Sequence, residues 1–491
     1  MKLDQLLGDV ATTGVEGSLD RDITSICHDS RRVKPGALFV AMKGENVDGA
    51  AFIPKAIAAG AEAVVTETDA DTGKATKVFV PDTRLALADL AAAFYQNPAR
   101  HLRIAGVTGT NGKTTTAFLI KHICEQAMHR CGLIGTVRYE IADRILPASR
   151  TTPESLEVHD LLWQMRSAGC KAAVMEVSSH ALMQARVRGV EFDAAVFTNL
   201  TQDHLDYHRT MEAYFDAKMR LFSGLLEQKK KGQAVINLDD RYGQLLVQKF
   251  HDQLPIVTYG VRAQCDFRAS NVRIDFHGTS YQLDARGRSY LVRLPLIGAF
   301  NVANSLAAIA ASNVMGVDVR TAVLALAQAP AVPGRLETVP GQRQFKVYVD
   351  YAHTDDALLN VIKACRELKP ARLIVVFGCG GNRDKTKRPR MGAVVDQHAD
   401  YAIVTSDNPR KEDPWAIIDD ITPAMTPGKF EIVLDRKQAI RTAIDLAQPR
   451  DIVLIAGKGH ETYQEFADHT VPFDDVAVAQ SAMGDKRGPA E

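Results

Sequence analysis

Short apolar runs recur along this chain. Each is closed by a polar or glycine-rich cluster, and most are followed by a stretch of helical spacing. Residues 36–44 and 61–67 read as strands, with 52–60 as the helix between them. Residues 77–82 add a strand and 84–95 a helix, and 97–102, which carries Pro98, reads as a connection. Further strands are expected at 103–109, 172–178, 194–200, 234–240 and 255–260. From 266 to 294 the pattern changes to short alternating segments, VRIDF and LVRLPL among them, which predict a small antiparallel excursion. A helix opens at 298–311. After the proline-rich stretch 329–337, strands return at 346–353, 371–378, 401–407 and 451–457.

The alternation is that of an α/β protein. Three domains are expected, at 1–100, 101–333 and 334–491. The middle one holds a mostly parallel sheet with helices on both faces, and the last is Rossmann-like. Ligands of such sheets gather at the carboxyl ends of the strands. The polar clusters 176–180, 199–208 and 237–240 fall at those ends. The tail from about 482 reads as frayed.

Composition removes several classes of function. The 491 residues carry 59 Lys and Arg against 59 Asp and Glu. No global basic field exists, so neither nucleic acid nor a membrane surface is an expected partner. The run KKK at 229–231 reads as a solvated helix end. The first residues lack the basic start and apolar core of a leader, and no run of about 18 apolar residues occurs, so membrane insertion is not expected. The seven cysteines, 27, 124, 131, 170, 265, 365 and 379, form no C-x-x-C pair, which fits a reduced, cytoplasmic setting. Cys379 reads as a small residue filling a tight turn.

The densest chemical signal is RIAGVTGTNGKTTT at 103–116. An apolar strand leads into a glycine-rich loop, and a helix begins at the lysine. Free backbone N–H groups and the positive end of the helix dipole then face one point, a site for phosphate. Lys113 would reach the outer phosphates and Thr114 would offer a hydroxyl to Mg²⁺. The usual spacing places glycine six residues before the lysine. That position is Val107 here, with glycines at 106 and 109, so the loop is a variant. Glu176 and His204, at strand ends, are candidate ligands for Mg²⁺, an oxygen-seeking ion. A lone histidine is more often structural, but Asp203, His204, Asp206 and His208 crowd together. Lys218, in YFDAKMR, would ordinarily be a solvated helix lysine. His28, Ser30 and Arg31, in CHDSRRV, either touch a ligand or make a turn.

The segments GVTGTNGKTTT, TTPE (151–154), MEVSSHAL (175–182), FTNLTQDHLDYH (197–208), FNVANSLAA (300–308), PGRLE (333–337), DYAHTDDAL (350–358) and FGCGGNRDKTKRP (377–389) occur in this order along the whole chain. Together they resemble the Mur ligases of peptidoglycan synthesis. Within that family the chain is most similar to the member that adds the third stem-peptide residue to UDP-MurNAc-L-Ala-D-Glu. DNPR at 407–410 matches the version that adds meso-diaminopimelate.

The resemblance implies a first domain for the uridine nucleotide, a second for ATP and a third for the incoming amino acid. It implies phosphoryl transfer from ATP to the D-Glu carboxylate, then attack by the amine of diaminopimelate on the acyl phosphate. Lys113, Glu176, His204 and Lys218 would be catalytic. Thr114, Glu176, His204 and Lys218, the last as a carbamate, would hold Mg²⁺. Thr108, Gly109, Thr110, Asn111, Gly112, Lys113, Thr114, Asn301, Arg335, Asp350 and His353 would bind ATP. Ser30, Thr151, Thr152, Ser178, Gln184 and Arg186 would bind the UDP-linked substrate. Arg383, Asp407, Asn408, Pro409, Arg410, Gly457 and Glu461 would bind diaminopimelate, with the Arg410 guanidinium gripping its distal carboxylate through two parallel hydrogen bonds. Glu45-Asn46-Val47 departs from the His-Gln-Ala of relatives, which puts the uridine contacts there in doubt. The partners expected are small molecules, acting on a monomer. Two readings compete. Folylpolyglutamate synthetase would share the phosphate loop and central domain. A nucleotide-driven switch would hydrolyse ATP without joining substrates.

Overall fold

Strand runs that are apolar on every residue need cover on both faces, and the chain supplies it in three successive sheets. The computed structural model describes residues 1–44, 48–127 and 129–484. Glu45-Asn46-Val47, and the tail beyond Gly484, lie outside the described residues. The first sheet has five strands, in the order Gly14–Glu16, Thr76–Phe79, Ala61–Thr66, Ala37–Val40 and Ser25–Cys27. All its neighbours are parallel except the edge pair Gly14–Glu16 with Thr76–Phe79. Ala37–Val40 is buried at every position.

The central sheet has eleven strands. Its parallel core runs through Ile256–Gly260, Gln233–Asn237, Ala194–Phe197, Arg103–Thr108, Ala172–Glu176 and Cys131–Ile134. One end carries the expected antiparallel excursion, Phe267–Asp275, Gly278–Ala285 and Arg288–Leu294. The other end adds Arg138–Ile141 and Arg144–Pro147, also antiparallel. Sequence patterning does not find that second edge, because its strands, RYEI and RILP, carry no continuous apolar run. Arg103–Thr108 lies between Ala172–Glu176 and Ala194–Phe197. The connections diverge to the two sides of this strand, so a crevice opens at its carboxyl end. Glu176 pairs alongside Val107 and Phe197 alongside Thr108, which brings both polar clusters to the glycine-rich loop. Helices Lys113–Gln126 and Ala299–Val314 bury one face of the sheet, and Ser155–Ser167 with Met211–Glu227 bury the other.

The third sheet has six strands, ordered Glu337–Thr338, Lys346–Asp350, Ile452–Ala456, Leu373–Phe377, Tyr401–Val404 and Phe430–Ile432. Only its first pair is antiparallel. The helix Asp475–Gly484 closes this unit, and Ala482 and Met483 are buried in it, so the order runs further than the expected fraying at 482. The KKK run also departs from expectation. Lys230 donates to the carbonyls of Ala99, Leu102 and Glu191 and to Asp193 Oδ2, and so ties the connection between the first two sheets to the central one. Cys379 is buried with its Sγ 3.6 Å from Met391 Sδ, a packing role.

The third unit is pinned by an ion pair with no exposure on either side chain. Arg436 donates to Asp475 through Nε at 2.8 Å and Nη2 at 2.7 Å. Removing one member of such a pair leaves an uncompensated buried charge. Arg436→Met should therefore cost about 3–5 kcal/mol. The double variant Arg436→Met/Asp475→Leu should recover much of that loss. Calorimetric unfolding of the three proteins measures it, and a double variant as unstable as the single one would refute the charge argument.

Candidate active site

The glycine-rich loop is packed from behind, and this sets its shape. Gly109 has φ +148° and Gly112 φ +85°. A Cβ at Gly109 would run into Thr198 Oγ1, and one at Gly112 into Asn304 Oδ1. The backbone of Asn111 is held between strands: its N–H donates to Asn199 Oδ1 at 2.9 Å, and its carbonyl accepts from Thr198 Oγ1 at 2.6 Å. Asn304 donates to Asn301 Oδ1, and Asn301 in turn donates to the Ile297 carbonyl. Asn301 thus buttresses the loop from the helix beneath it.

Two lysines converge on one carbonyl. Lys113 Nζ donates to the Gly109 and Thr110 carbonyls at 2.9 and 2.8 Å, and Lys218 Nζ donates to the same Gly109 carbonyl at 2.8 Å. Lys218 is 1% exposed and lies over the Tyr214 ring, not on a solvated helix face. Burial lowers the pKa of Lys113. Burial first and the Lys113 charge second hold Lys218 well below the ordinary lysine range.

Glu176 is buried at the end of its strand. Its Oε2 accepts from Thr114 Oγ1 and Thr136 Oγ1, both at 3.0 Å, and its Oε1 accepts from Thr136 N at 2.8 Å. Thr136 follows the strand Cys131–Ile134, which patterning does not reveal, and no motif singles it out. Arg335 reaches across from the third unit and donates to Thr114 Oγ1 at 3.0 Å. Asp350, also assigned to ATP, accepts from Leu336 N and Ala352 N, and burial raises its pKa. His353 Nδ1 donates to the neighbouring Tyr351 carbonyl at 2.8 Å, and the residue is exposed.

The donors on Thr114 and Glu176 are hard oxygens at the foot of the phosphate loop, a set that suits Mg²⁺. Among the described residues no three His, Cys, Asp or Glu side chains stand together as a ready-made metal cluster. His204 sits in left-handed backbone at φ +54°, with its ring 5.0 Å from His180 and 6.0 Å from Tyr214. Partial burial, then the Lys113, His180 and Lys218 charges, push its pKa down against the pull of Asp203, which leaves the ring neutral and able to donate a lone pair. His208 is instead engaged, with Nε2 2.8 Å from Ser179 Oγ.

The residues assigned to the UDP-linked substrate form one network, Ser30 excepted. Ser178 N donates to Thr152 Oγ1 at 3.1 Å, and Thr152 Oγ1 donates to the Glu176 carbonyl at 2.7 Å. Thr151 Oγ1 is 3.0 Å from Thr136 Oγ1. Arg186 donates to the Thr152 carbonyl and to Gln184 Oε1, and pairs with Glu154 at 3.0 Å. Ser30 lies in the first unit, buried on a turn whose cap is Asp29. The segment carrying Gln184 and Arg186 is anchored by His159, fully buried, whose Nε2 is 2.9 Å from the Arg188 carbonyl.

In the third unit the loops after three strands meet. Gly457 has φ +119°, and a Cβ there would stand 2.6 Å from Asp407 Oδ2. Asn408 donates to Glu461 Oε2 at 2.8 Å. Pro409 precedes Arg410, which adopts φ +53° and donates through Nε to Glu465 Oε2 at 2.8 Å and through Nη1 to the Gly381 carbonyl at 2.9 Å. Nε and one N–H of Nη1 are thus engaged within the protein. Arg383 is exposed on the facing loop. Glu412 locks the two loops together. It accepts from Asn382 N and from both terminal nitrogens of the buried Arg388, and these bonds hold its carboxyl at about 2. Glu412, Arg388, Lys458 and Glu465 are site-building residues that sequence reasoning passes over. The third unit also touches the phosphate loop directly: Asp356 Oδ2 accepts from Asn111 Nδ2 at 3.1 Å and from Thr201 Oγ1 at 3.0 Å.

Comparison with known proteins gives concordant matches. Residues 22–95 match the Mur ligase family catalytic domain, 107–312 the Mur ligase middle domain, and 334–459 the Mur ligase glutamate ligase domain. The UDP-N-acetylmuramoyl-L-alanyl-D-glutamate–2,6-diaminopimelate ligase of Syntrophomonas wolfei is 45% identical over 490 residues, 99% of this chain and 100% of that one. A solved structure of a ligase with the same name is 34% identical, with a TM-score of 0.71 over 98% of both chains. The folylpolyglutamate synthase of Mycobacterium tuberculosis, complexed with ADP and AMPPCP, shares the fold at 18% identity. Its TM-score is 0.65 over 83% of this chain and 96% of that one, a likeness that reaches beyond the central sheet.

His159 makes a pH test. Burial lowers its pKa to about 4, against about 6.5 for an unperturbed imidazole. The unfolded chain therefore binds a proton between these values that the folded chain does not. Stability should fall as pH drops from 6.5 to 4, by about 1.4 kcal/mol per unit and about 3 kcal/mol in all. Thermal midpoints measured against pH for wild type and His159→Gln should differ in slope only inside that window. Parallel curves would refute the assignment.

Proposed function

The chain belongs to the Mur ligase family, and from that premise we propose that it is the ATP-dependent ligase that joins meso-diaminopimelate to UDP-MurNAc-L-Ala-D-Glu. The observation that carries this reading is the meeting of two sites. A phosphate loop with its Glu176 cluster touches the third unit through Asp356 and Arg335, and that unit carries the loops of Asn408 and Arg410. A nucleotide switch needs no such second site.

We assign residues 1–100 to the uridine nucleotide, 101–333 to ATP and 334–491 to the amino acid. In the first step the γ-phosphate passes to the D-Glu carboxylate, giving an acyl phosphate and ADP. In the second, the diaminopimelate amine attacks the acyl carbon and phosphate leaves. Phosphoryl transfer of this kind needs placement and charge neutralisation more than a covalent nucleophile. Lys113 turns from its loop carbonyls to the phosphates, and the N-terminus of its helix adds dipole charge. Thr114, Glu176, His204 and Lys218, the last as a carbamate, would hold Mg²⁺, which would supply further positive charge at the phosphates. Arg186 and its partners Thr152 and Gln184 orient the muramoyl-dipeptide, with Ser30 at the uridine end. The enzyme acts in the cytoplasm as a monomer. Among the described residues no helix is long and apolar enough to cross a membrane.

The deciding experiment is a product assay with UDP-MurNAc-L-Ala-D-Glu, ATP and either diaminopimelate or lysine. The distal carboxylate of diaminopimelate is met by Arg410 Nη2 together with Arg383, while Asp407 and Glu461 meet ammonium charge. Sites built around such a group reject analogues lacking it by roughly 10⁴–10⁵. Wild type should strongly prefer diaminopimelate. Arg410→Ala should lose about 10- to 100-fold of that preference, through a raised KM for diaminopimelate. Equal use of lysine by wild type, or unchanged selectivity in the variant, would overturn the assignment.

Lys218 becomes a metal ligand only as a carbamate, formed when its amine adds CO₂ and releases a proton. Lys218→Ala should be inactive, and added short carboxylic acids should restore part of the activity by replacing the carbamate oxygens. Full activity in the variant without any additive would eliminate the proposal.

A further inference from the structure

Directly after the strand Ile452–Ala456, Lys458 places an ammonium with no exposed surface beneath the amino-acid loops. A buried cation is costly unless its surroundings satisfy it. Here Nζ donates to Asn408 Oδ1 at 2.9 Å and to Glu461 Oε2 at 3.2 Å, and it lies over the Tyr463 ring at 5.5 Å. Asn408 Oδ1 also accepts from Glu465 N at 3.0 Å, while Asn408 Nδ2 donates to Glu461 Oε2 at 2.8 Å. The amide therefore has one workable orientation. Turned over, its NH₂ would face both the ammonium and the Glu465 N–H. The same bonds fill one oxygen of Glu461 with two donors and leave Oε1 for something else.

The turn that carries these groups has little room to shift. Glu461 N donates to the Lys458 carbonyl at 2.9 Å, and Gly457 N to the Asp350 carbonyl at 3.0 Å. A Cβ on Gly459 would stand 2.7 Å from Tyr351 Cβ, and the His460 ring packs 4.9 Å from the Tyr351 ring. One side of the turn thus meets the amino-acid loops, and the other meets Tyr351 and Asp350, the latter assigned to ATP.

We propose that Lys458 is a positioning residue of the amino-acid site: its buried ammonium locks the Asn408 amide and one oxygen of Glu461, so that Glu461 Oε1 is presented to an ammonium group of the incoming amino acid. This rests on the ligase reading given above. The ammonium acts before the substrate arrives, by removing the side-chain freedom that binding would otherwise have to restrict.

Lys458→Met keeps an unbranched apolar stem and removes the charge. Its KM for diaminopimelate should rise about 10- to 100-fold, the range for loss of charge-assisted hydrogen bonds. Its KM values for ATP and for UDP-MurNAc-L-Ala-D-Glu should stay within threefold of wild type. A purely structural role would move all three constants along with the thermal midpoint, and that outcome, or an unchanged KM for diaminopimelate, overturns the proposal. The double variant Lys458→Met/Glu461→Gln carries no unpaired buried charge, and so remains testable where the single variant fails to fold. If Lys458 works through Glu461, the double variant should bind diaminopimelate no worse than Glu461→Gln alone. Additive losses overturn the proposal. Should wild type ligate lysine in place of diaminopimelate, the diaminopimelate reading fails, and the same comparison is made on lysine.

Discussion

The contact on which the most depends is the closure of the glycine-rich loop against Thr198 and Asn199. Gly109 approaches Thr198 so closely that no side chain fits, and the Asn111 peptide is bonded on both sides by Thr198 and Asn199. The loop is therefore shaped by the next parallel strand and does not wait for a ligand to shape it. That has a chemical consequence. Backbone donors already in place need no reorganisation when charge moves between phosphate and carboxylate. It also explains how a loop with valine at the usual first glycine position still works: the tight turn is carried by Gly109 and Gly112, where the close approaches occur.

The third unit solves a different problem, the fixing of polar loops around a charged amino acid, and it does so with buried cations. Arg436 faces Asp475, Arg388 faces Glu412 and Asp420, and Lys458 faces Asn408 and Glu461. Such pairs contribute little net stability, because desolvation offsets attraction. The first joins two helix starts, whereas the Arg388 and Lys458 contacts join the loops that carry residues assigned to the substrate. The benefit lies in orientation. Apolar replacements of equal volume would pack as well and would leave the loops free to turn.

Communication between the two sites runs through few atoms. Asp356 meets Asn111 and Thr201, and Arg335 meets Thr114. These contacts place third-unit groups on both ends of the phosphate loop. Any movement of the amino-acid loops relative to the nucleotide must break or rebuild them.

The alternation of apolar runs was enough to identify an α/β chain, to locate the principal strands of all three sheets and to mark the phosphate loop. Those features are local: a buried parallel strand must be apolar throughout, and a tight anion-binding turn must contain glycine. The motifs also led to Glu176, Asn408 and Arg410, residues whose neighbours in sequence form recognisable strings. What could not be read locally was every partner supplied from elsewhere in the chain. Thr136 lies in the turn between Cys131–Ile134 and Arg138–Ile141, and no motif marks it. Lys230 and Lys218 look like solvated helix lysines until the tertiary structure covers them. Arg410 carries the expected guanidinium, but only the return of Glu465 beside it decides which of its nitrogens are left for a ligand. Sequence determines which chemistries are available along the chain. The long-range packing decides which of those groups are buried, which are already engaged and which remain free to act.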